Sequence, residues 1–218
     1  MSEAQTQTPV SLPRIGDDAP AFEVNTTQGQ VALSDYAGKW LVLFSHPADF
    51  TPVCTTELIR FQEIYPRLKE QNVELLGLSV DSVQSHIAWV RNIHEKSGIR
   101  IEYPIIADSS RQVAEKYGMI HPNESQTETN RAVFVIDDKQ KIRAIIYYPL
   151  TTGRNFAEIE RLVQALKTTD EEQVPTPADW EPGQKVVVPP PKTQQEAEER
   201  LNDDSIEVTD WYLSKKQL

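Results

Sequence analysis

The chain of 218 residues contains one cysteine, Cys54. A single cysteine cannot form an internal disulfide, so the sequence excludes a small secreted scaffold held by disulfides and fits a reducing compartment. Basic residues are also outnumbered, since 22 Lys and Arg against 33 Asp and Glu give a formal net charge of −11. That charge opposes attraction to a phosphate backbone, which argues against nucleic acid as a partner.

Long apolar runs are missing as well. No segment approaches the roughly 18 apolar residues that a membrane-spanning helix needs. The opening MSEAQTQTPV lacks the basic and apolar regions of a signal peptide. We therefore expect a cytoplasmic protein without a membrane span. Its hydrophobic content of 39% is ordinary for a globular chain and sufficient to bury a core.

Short apolar runs alternate with helical patterns through most of the chain. Residues 39–45 and 73–80 are short, largely apolar runs and predict buried strands, the first of them central. Two further runs flank the turn sequence DDKQ and predict an antiparallel hairpin. The sequence therefore predicts an α/β fold with a mixed sheet flanked by helices.

Amphipathic helices are predicted between these strands. The first follows Thr51, and Pro66 is expected to kink it or end its regular part. A second is expected between Ser82 and Gly98, and its apolar face is predicted to contain Val83, Ile87, Val90 and His94. A third follows Asn155 as its cap. Beyond residue 170 the chain becomes rich in proline and poor in apolar side chains, which predicts a small, loop-rich C-terminal extension with a solvated acidic stretch.

Cys54 can be interpreted either as a nucleophile or as an inert buried side chain, and its surroundings bear on both interpretations. Thr51 suits a helix N-cap and Pro52 the first helical position, so Cys54 falls in the first turn. Free backbone N–H groups and the helix dipole favour an anion there, and the thiolate is the nucleophilic form of cysteine. A lone cysteine is also commonly an inert, buried small side chain. The local pattern leaves both interpretations open.

Five motifs resolve this choice through a resemblance. PADFTPVCTTE carries Pro47, Thr51 and Cys54 in a P-x-x-x-T-x-x-C arrangement, and it is followed in order by DSVQSHIAW, NRAVFVID, YYPLTTGRN and TPADWEPGQKVVVPP. Together they resemble the peroxiredoxins, thiol peroxidases with a thioredoxin-like fold, and in particular their one-cysteine branch. The resemblance runs from about residue 14 to residue 190 or beyond.

The resemblance implies a division of the chain and an assembly. Residues 8–168 would form a thioredoxin-like peroxidase domain, and residues 169–218 a dimerisation arm that crosses to a neighbouring subunit. We accordingly expect a homodimer, with Trp180 and the VVVPP run at its interface.

It also implies the site residues. Cys54 would attack hydrogen peroxide or an organic hydroperoxide and become a sulfenic acid, in antioxidant defence and cell redox homeostasis. Arg131 would hold the sulfur and a peroxide oxygen, while Thr51 and Pro47 would shape the pocket. Four positions around this quartet also match the family pattern: His46, Glu57, Trp89 and Arg154. For His46 the expected place is near the sulfur.

Because no second cysteine is present to resolve the sulfenic acid, its reduction must come from an external thiol. Glutathione with a partner enzyme, a thioredoxin-type protein and a small thiol all remain candidates. No cofactor is expected. No metal site is expected either, since the four histidines show no i,i+4 pair, and His86 and His94 suit an ordinary helix face or surface.

Other functions using the same residues can be compared with this one. A thiol-redox sensor or a chaperone-like binding protein would use Cys54 with slower oxidation and no turnover. A hydrolase would need a general base that no motif supplies. The lipase activity credited to some relatives needs a G-x-S-x-G serine, whereas GLSVD at residues 77–81 lacks the second glycine and lies on a predicted strand.

Overall fold

The computed structural model describes residues 12–218, so the MSEAQTQTPV segment and the predicted domain start at residue 8 lie outside it. Its main feature is a mixed sheet. The strands of this sheet are β1 (Glu23–Thr26), β2 (Gly29–Ala32), β3 (Trp40–Ser45), β4 (Val73–Ser79), β5 (Ile105–Ala107), β6 (Arg131–Ile136) and β7 (Ile142–Tyr148). They lie in the order β2-β1-β5-β4-β3-β6-β7.

The predicted central strand is confirmed. β3 pairs in parallel with β4 on one side and antiparallel with β6 on the other, and β6 and β7 form the predicted hairpin. Successive side chains of β3 point to opposite faces of the sheet. Leu41 and Leu43 belong to one buried cluster, whereas the ring of Phe44 stacks 3.7 Å from that of Phe61 on the other face. A strand buried on both faces explains the uninterrupted apolar run.

Helix α1 (Pro52–Glu70) begins where the sequence predicts, directly after Thr51. Its apolar residues at three- and four-residue spacing are all buried: Leu58, Phe61, Tyr65 and Leu68. Of the two expectations for Pro66, that it ends the helix is wrong, because α1 continues to Glu70. The expected kink stays a prediction. Burial of Tyr65 and Leu68 on either side of Pro66 offsets the one backbone hydrogen bond that the proline cannot donate.

Helix α2 (Val83–Ser97) has the predicted ends but a different buried face. Ser82 accepts a hydrogen bond from the backbone N–H of Ser85, and Gly98 ends the helix at φ +75°. The buried side chains are His86, Trp89 and Ile93, while Ile87 is 43% exposed. The predicted face is therefore wrong by one position. The polar atoms of His86 and Trp89 have hydrogen-bond partners, and this permits their burial.

The remaining helices of the first part of the chain are short. A 3-10 helix spans Leu33–Tyr36, and α3 spans Gln112–Lys116, where Val113 and Ala114 join the same buried cluster as Leu41. Residues 119–130 contain no helix or strand. Ser79, the serine of GLSVD, is the last residue of β4 and donates to Asp81 instead of standing at a strand-to-helix elbow.

The described residues separate into two compact units, one ending at Arg154 and the other beginning at Asn155. The C-terminal unit contains α4 (Phe156–Glu172), β8 (Val186–Val187), α5 (Gln194–Leu201), β9 (Glu207–Asp210) and β10 (Leu213–Lys216). Its strands form a small sheet in the order β8-β10-β9. Asn155 caps α4 as predicted. The division of the chain at residues 168 and 169 stays a prediction.

The structure corrects two expectations for the C-terminal unit, one for Trp180 and one for the acidic stretch. Trp180 is 2% exposed and packs with Ala165, Val174 and Val186, which leaves its ring no free surface for the predicted interface. Part of the acidic stretch is helical, because α5 is capped by Thr193 and buries no side chain. Within residues 12–218, no helix is both long and apolar enough to cross a membrane.

Candidate active site

Cys54 is the third residue of α1, and its side chain is fully buried. The connection from β3 to α1 also carries Pro47, which is buried, and Thr51, which is partly buried. Thr51 occupies the N-cap position, but its hydroxyl donates to the carbonyl oxygen of Ala48 at 2.8 Å instead of accepting from the helix. The first-turn N–H groups are thus left without the side-chain cap that the sequence predicts.

Arg131 is the first residue of β6 and lies close to the end of β3. The antiparallel register sets Phe44 opposite Val133, and this brings the start of β6 next to Ser45. Its Nη1 donates to the Cys54 sulfur at 3.3 Å and to Glu57 Oε2 at 2.7 Å. Its Nε and Nη2 both donate to the carbonyl oxygen of Leu150, at 3.0 and 2.7 Å. These contacts fix the plane of the guanidinium against the sulfur.

Glu57 lies one helical turn after Cys54 and joins two arginines. Its Oε2 also accepts from Arg154 Nη2 at 2.7 Å, and its Oε1 accepts from Arg154 Nε and N at 2.9 Å each. Arg154 Nη1 donates to the carbonyl oxygens of Ser45 and Ala132. Arg154 is therefore a buried structural cation and not a solvated loop residue.

The charges of this cluster are set by its contacts. Burial alone would raise the pKa of Glu57, but Arg154 and Arg131 outweigh it and hold that pKa below its usual value. The carboxylate is consequently ionised at neutral pH. Two guanidinium groups facing one carboxylate leave one positive charge beside the Cys54 sulfur.

His46 and Trp89 lie together in the same unit. Both are buried, and their rings are 5.1 Å apart. His46 Nε2 contacts Asp49 Oδ1 at 2.9 Å, and Trp89 Nε1 donates to Oγ1 of Thr55, the residue after Cys54, at 3.3 Å. The sulfur of Cys54 contacts Arg131, and the expected place of His46 near Cys54 stays a prediction.

Sequence reasoning missed three contributors to this region. Asp49, inside the PADFTPVCTTE motif, binds both His46 and His86. The carbonyl oxygen of Leu150 accepts hydrogen bonds from Arg131. The surface interpretation of His86 is wrong, because its side chain is fully buried. The spacing of His86, Trp89 and Ile93 fits a helical stripe, but that of Ile87 and Val90 does so equally well, and spacing alone does not reveal this burial. A backbone carbonyl such as that of Leu150 has no sequence signal.

A buried thiol on the first turn of a helix, with a guanidinium against its sulfur, defines the class of a thiol-based oxidoreductase. The sequence profile of the AhpC/TSA family matches residues 15–145, and that of the C-terminal domain of 1-Cys peroxiredoxin matches residues 165–203. A peroxiredoxin of Aquifex aeolicus is 58% identical, over 96% of this chain and 99% of its own. Peroxiredoxin 2 of Caldanaerobacter subterraneus is 55% identical, over 96% and 95%.

Solved structures agree with these matches. The yeast mitochondrial 1-Cys peroxiredoxin, whose thiol is described as resolved through glutathione and thioredoxin systems, has a TM-score of 0.85 at 41% identity, covering 95% of this chain and 100% of its own. A cysteine-to-serine mutant of Peroxiredoxin 6 of Arenicola marina has a TM-score of 0.83 at 39% identity, covering 94% and 98%. The chain belongs to the peroxiredoxins and is a thiol-dependent peroxidase with a thioredoxin-like fold and one cysteine.

Proposed function

We propose that Cys54 is the peroxidatic nucleophile and that Arg131, Thr51 and Pro47 complete its catalytic site. The contact of Arg131 Nη1 with the Cys54 sulfur at 3.3 Å carries this proposal. A Cys54 thiolate would neutralise the positive charge that Arg131 and Arg154 leave after pairing with Glu57, and the N-terminus of α1 favours the same anion.

The reaction transfers two electrons from sulfur to oxygen. The thiolate attacks the hydroxyl oxygen of a hydroperoxide, the S–O bond forms, and the O–O bond breaks. Cys54 becomes a sulfenic acid, and the departing alkoxide or hydroxide takes a proton to leave as alcohol or water. Negative charge develops on the departing oxygen, so a fixed guanidinium lowers the barrier more than it stabilises the resting peroxide.

Thr51 has a defined part in this scheme. Its hydroxyl hydrogen is used by the carbonyl of Ala48, so toward a substrate the oxygen can only accept a hydrogen bond. It therefore accepts from the terminal O–H of the hydroperoxide and orients the oxygen that the sulfur attacks. Pro47 is buried and limits water at the pocket. His46, Glu57, Trp89 and Arg154 support the quartet by packing and hydrogen bonding.

Recycling uses an external thiol. One thiol displaces water from the sulfenic acid to form a mixed disulfide. A second thiol then attacks the sulfur of the first, which forms a disulfide between the two reductants and releases Cys54 as a thiol. Glutathione, a thioredoxin-type protein and a small thiol fit this chemistry, and the yeast relative is described with the first two. Because the Cys54 side chain is fully buried, the first turn of α1 must open before a bulky reductant reaches the sulfur.

Stopped-flow mixing with hydrogen peroxide tests the assignment of Cys54. The parent protein should react with a second-order rate constant of at least ~10⁴ M⁻¹ s⁻¹, within the range of efficient enzymes, and Cys54→Ser should abolish the reaction. Steady consumption of peroxide with added thiol separates the peroxidase from a redox sensor, which would oxidise once. Reaction at the rate of a free thiol would contradict the proposal.

The assembly and compartment are part of the same proposal. The chain forms a homodimer through its C-terminal unit, where Leu201, Trp211 and Tyr212 remain 51%, 44% and 57% exposed and offer apolar surface to a second copy. Light scattering at micromolar concentration should give twice the mass of one chain, and a monomer would contradict this. A single cysteine recycled by external thiols suits the reducing cytoplasm, which cell fractionation can test.

A further inference from the structure

The carboxylate of Asp49 is bound by two histidines from different elements. His46 Nε2, just beyond β3, contacts Oδ1 at 2.9 Å. His86 Nδ1, on α2, contacts Oδ1 at 3.0 Å and Oδ2 at 2.8 Å. Both histidine side chains are fully buried, and that of Asp49 is 2% exposed. The N–H groups of the two rings must therefore find their acceptors among protein groups.

The partners of His86 fix the number of protons. Its Nε2 faces the carbonyl oxygen of Ile106 at 3.1 Å, and a carbonyl only accepts, so Nε2 carries a hydrogen. Its Nδ1 faces both oxygens of the Asp49 carboxylate, which also only accept when ionised. A neutral imidazole has one N–H and cannot serve both sides. The His86–Asp49 pair thus holds one proton more than a neutral imidazole and a carboxylate.

His46 takes the other role in this cluster. Burial lowers its pKa, and the hydrogen bond to Asp49 only partly opposes this, so the ring is neutral. Its hydrogen lies on Nε2, toward Asp49, and this agrees with Nδ1 being buried without a hydrogen-bond partner. Burial would raise the pKa of Asp49, but the hydrogen bonds from His46 and His86 reverse that and lower it, so the carboxylate stays ionised.

Asp49 is also the anchor of the segment that leads into the catalytic helix. Its backbone N–H donates to Asp81 Oδ2 at 3.1 Å, and the next residue, Phe50, is held at φ +55°, a conformation that costs a bulky L-residue free energy. Thr51 follows directly. A segment with such a backbone keeps its shape only while its surroundings fix it, and here the histidine contacts to Asp49 do so.

We propose that the buried pair of Asp49 and His86 shares one proton and through it fixes the residues that position Thr51 and the first turn of α1, which makes His86 a positioning residue for peroxide reduction. The kinetic part rests on the proposed function of Cys54. The proton count does not, so the two can fail separately.

Nitrogen-15 NMR of histidine-labelled protein at about pH 8, where an ordinary histidine is mostly neutral, tests the proton count. His86 should show hydrogen on both ring nitrogens, and His46 should show a bare Nδ1. Asp49→Asn, whose amide both accepts and donates, should return His86 to a neutral ring. A singly protonated His86 beside an ionised Asp49, or one equivalent of bound metal in place of the proton, would overturn the proposal.

The positioning role is tested by stopped-flow oxidation of Cys54 in folded variants. His86→Gln and His86→Ala should lower the second-order rate constant by about ten- to a hundredfold, since a displacement near 1 Å costs that much. His94→Gln, an exposed change on the same helix, should react at the parent rate. Folded His86 variants that lose thermal stability but react at the parent rate would reduce His86 to a packing residue. If the parent itself fails to react, the assignment of Cys54 falls while the NMR result stands.

Discussion

Arg154 binds the carboxylate of Glu57 through both of its oxygens, with Nε to Oε1 at 2.9 Å and Nη2 to Oε2 at 2.7 Å. The pair is buried, and Glu57 Oε2 also accepts from Arg131. One carboxylate thus orients both the cation that holds the sulfur and the cation that joins β3 to β6 through the carbonyls of Ser45 and Ala132. The electrostatics of the candidate active site and the stability of the β3–β6 pairing are therefore coupled.

Removing the charge of Glu57 should break its ion pairs with Arg131 and Arg154. Glu57→Gln leaves two buried guanidinium groups without a carboxylate, and we expect a loss of about 3–5 kcal/mol in the free energy of unfolding. Urea unfolding measures this change. Glu63→Gln, an exposed change on the same helix, serves as a control and should change stability little. A Glu57→Gln protein as stable as its parent would show that the ion pairs contribute nothing.

Glu57 also predicts an acid dependence of stability. Its pKa is lower in the folded chain than in the unfolded chain, so its contribution is complete above the unfolded value of about 4.3 and is lost as the pH falls through the folded value. Stability of the parent should fall steeply below about pH 4.3, and this slope should be smaller in Glu57→Gln. Thermal unfolding across that pH range gives both slopes, and equal slopes would contradict the prediction.

Thr51 predicts a difference between two substitutions. Because its hydrogen is donated to the carbonyl oxygen of Ala48, the hydroxyl oxygen can only accept a hydrogen bond from the proposed substrate, and Thr51→Val removes that acceptor while keeping the shape of the side chain. We expect the second-order rate constant with hydrogen peroxide to fall by about tenfold, the value of one hydrogen bond. Thr51→Ser retains the oxygen and should stay within about threefold of the parent. A larger loss in Thr51→Ser than in Thr51→Val would contradict this role and point to packing of the methyl group instead.

Much of the fold could be predicted because the relevant signals are local. The run at residues 39–45 predicts a strand buried on both faces, and the start of α1 follows from Thr51 and Pro52. The buried face of α2 could not be predicted in the same way, because the apolar side chains of Ile87 and Val90 indicate a buried face more strongly than the side chain of His86 does. His86 is buried through a partner 37 residues away in the chain, which no local pattern contains.

Local sequence signals likewise predict only part of the candidate site. Cys54 is placed by its own helix, and its neighbour Glu57 by helical spacing. The positions of Arg131 and Arg154 depend on the register between β3 and β6 and on the loop after β7, so only the family resemblance indicated them. The cluster around Asp49 had no such indication as a set, since its three side chains come from two segments and each has an ordinary explanation alone.

Trp180 gives a prediction for the C-terminal unit. Its ring is buried with Ala165, Val174 and Val186, and its Nε1 donates to the carbonyl oxygen of Gln184 at 3.1 Å. Trp180→Ala should cost about 3–5 kcal/mol, measured by urea unfolding followed by circular dichroism. Trp211→Ala removes an aromatic ring that is 44% exposed in a single chain and should cost much less in a dilute monomer. Similar losses in both variants would contradict the burial of Trp180 within its own chain.

Arg131 gives the most direct prediction for catalysis. Arg131→Lys keeps a positive charge but loses the fork that holds the Leu150 carbonyl, Glu57 and the sulfur in one plane. We expect the rate constant for Cys54 oxidation to fall by about 10²–10³, the effect of losing one fixed donor to a developing anion. Arg91→Lys, at an exposed arginine on α2, is the matched control and should react like the parent. If Arg131→Lys retained the parent rate, charge alone would suffice and the orientation of the guanidinium would have no part in the reaction.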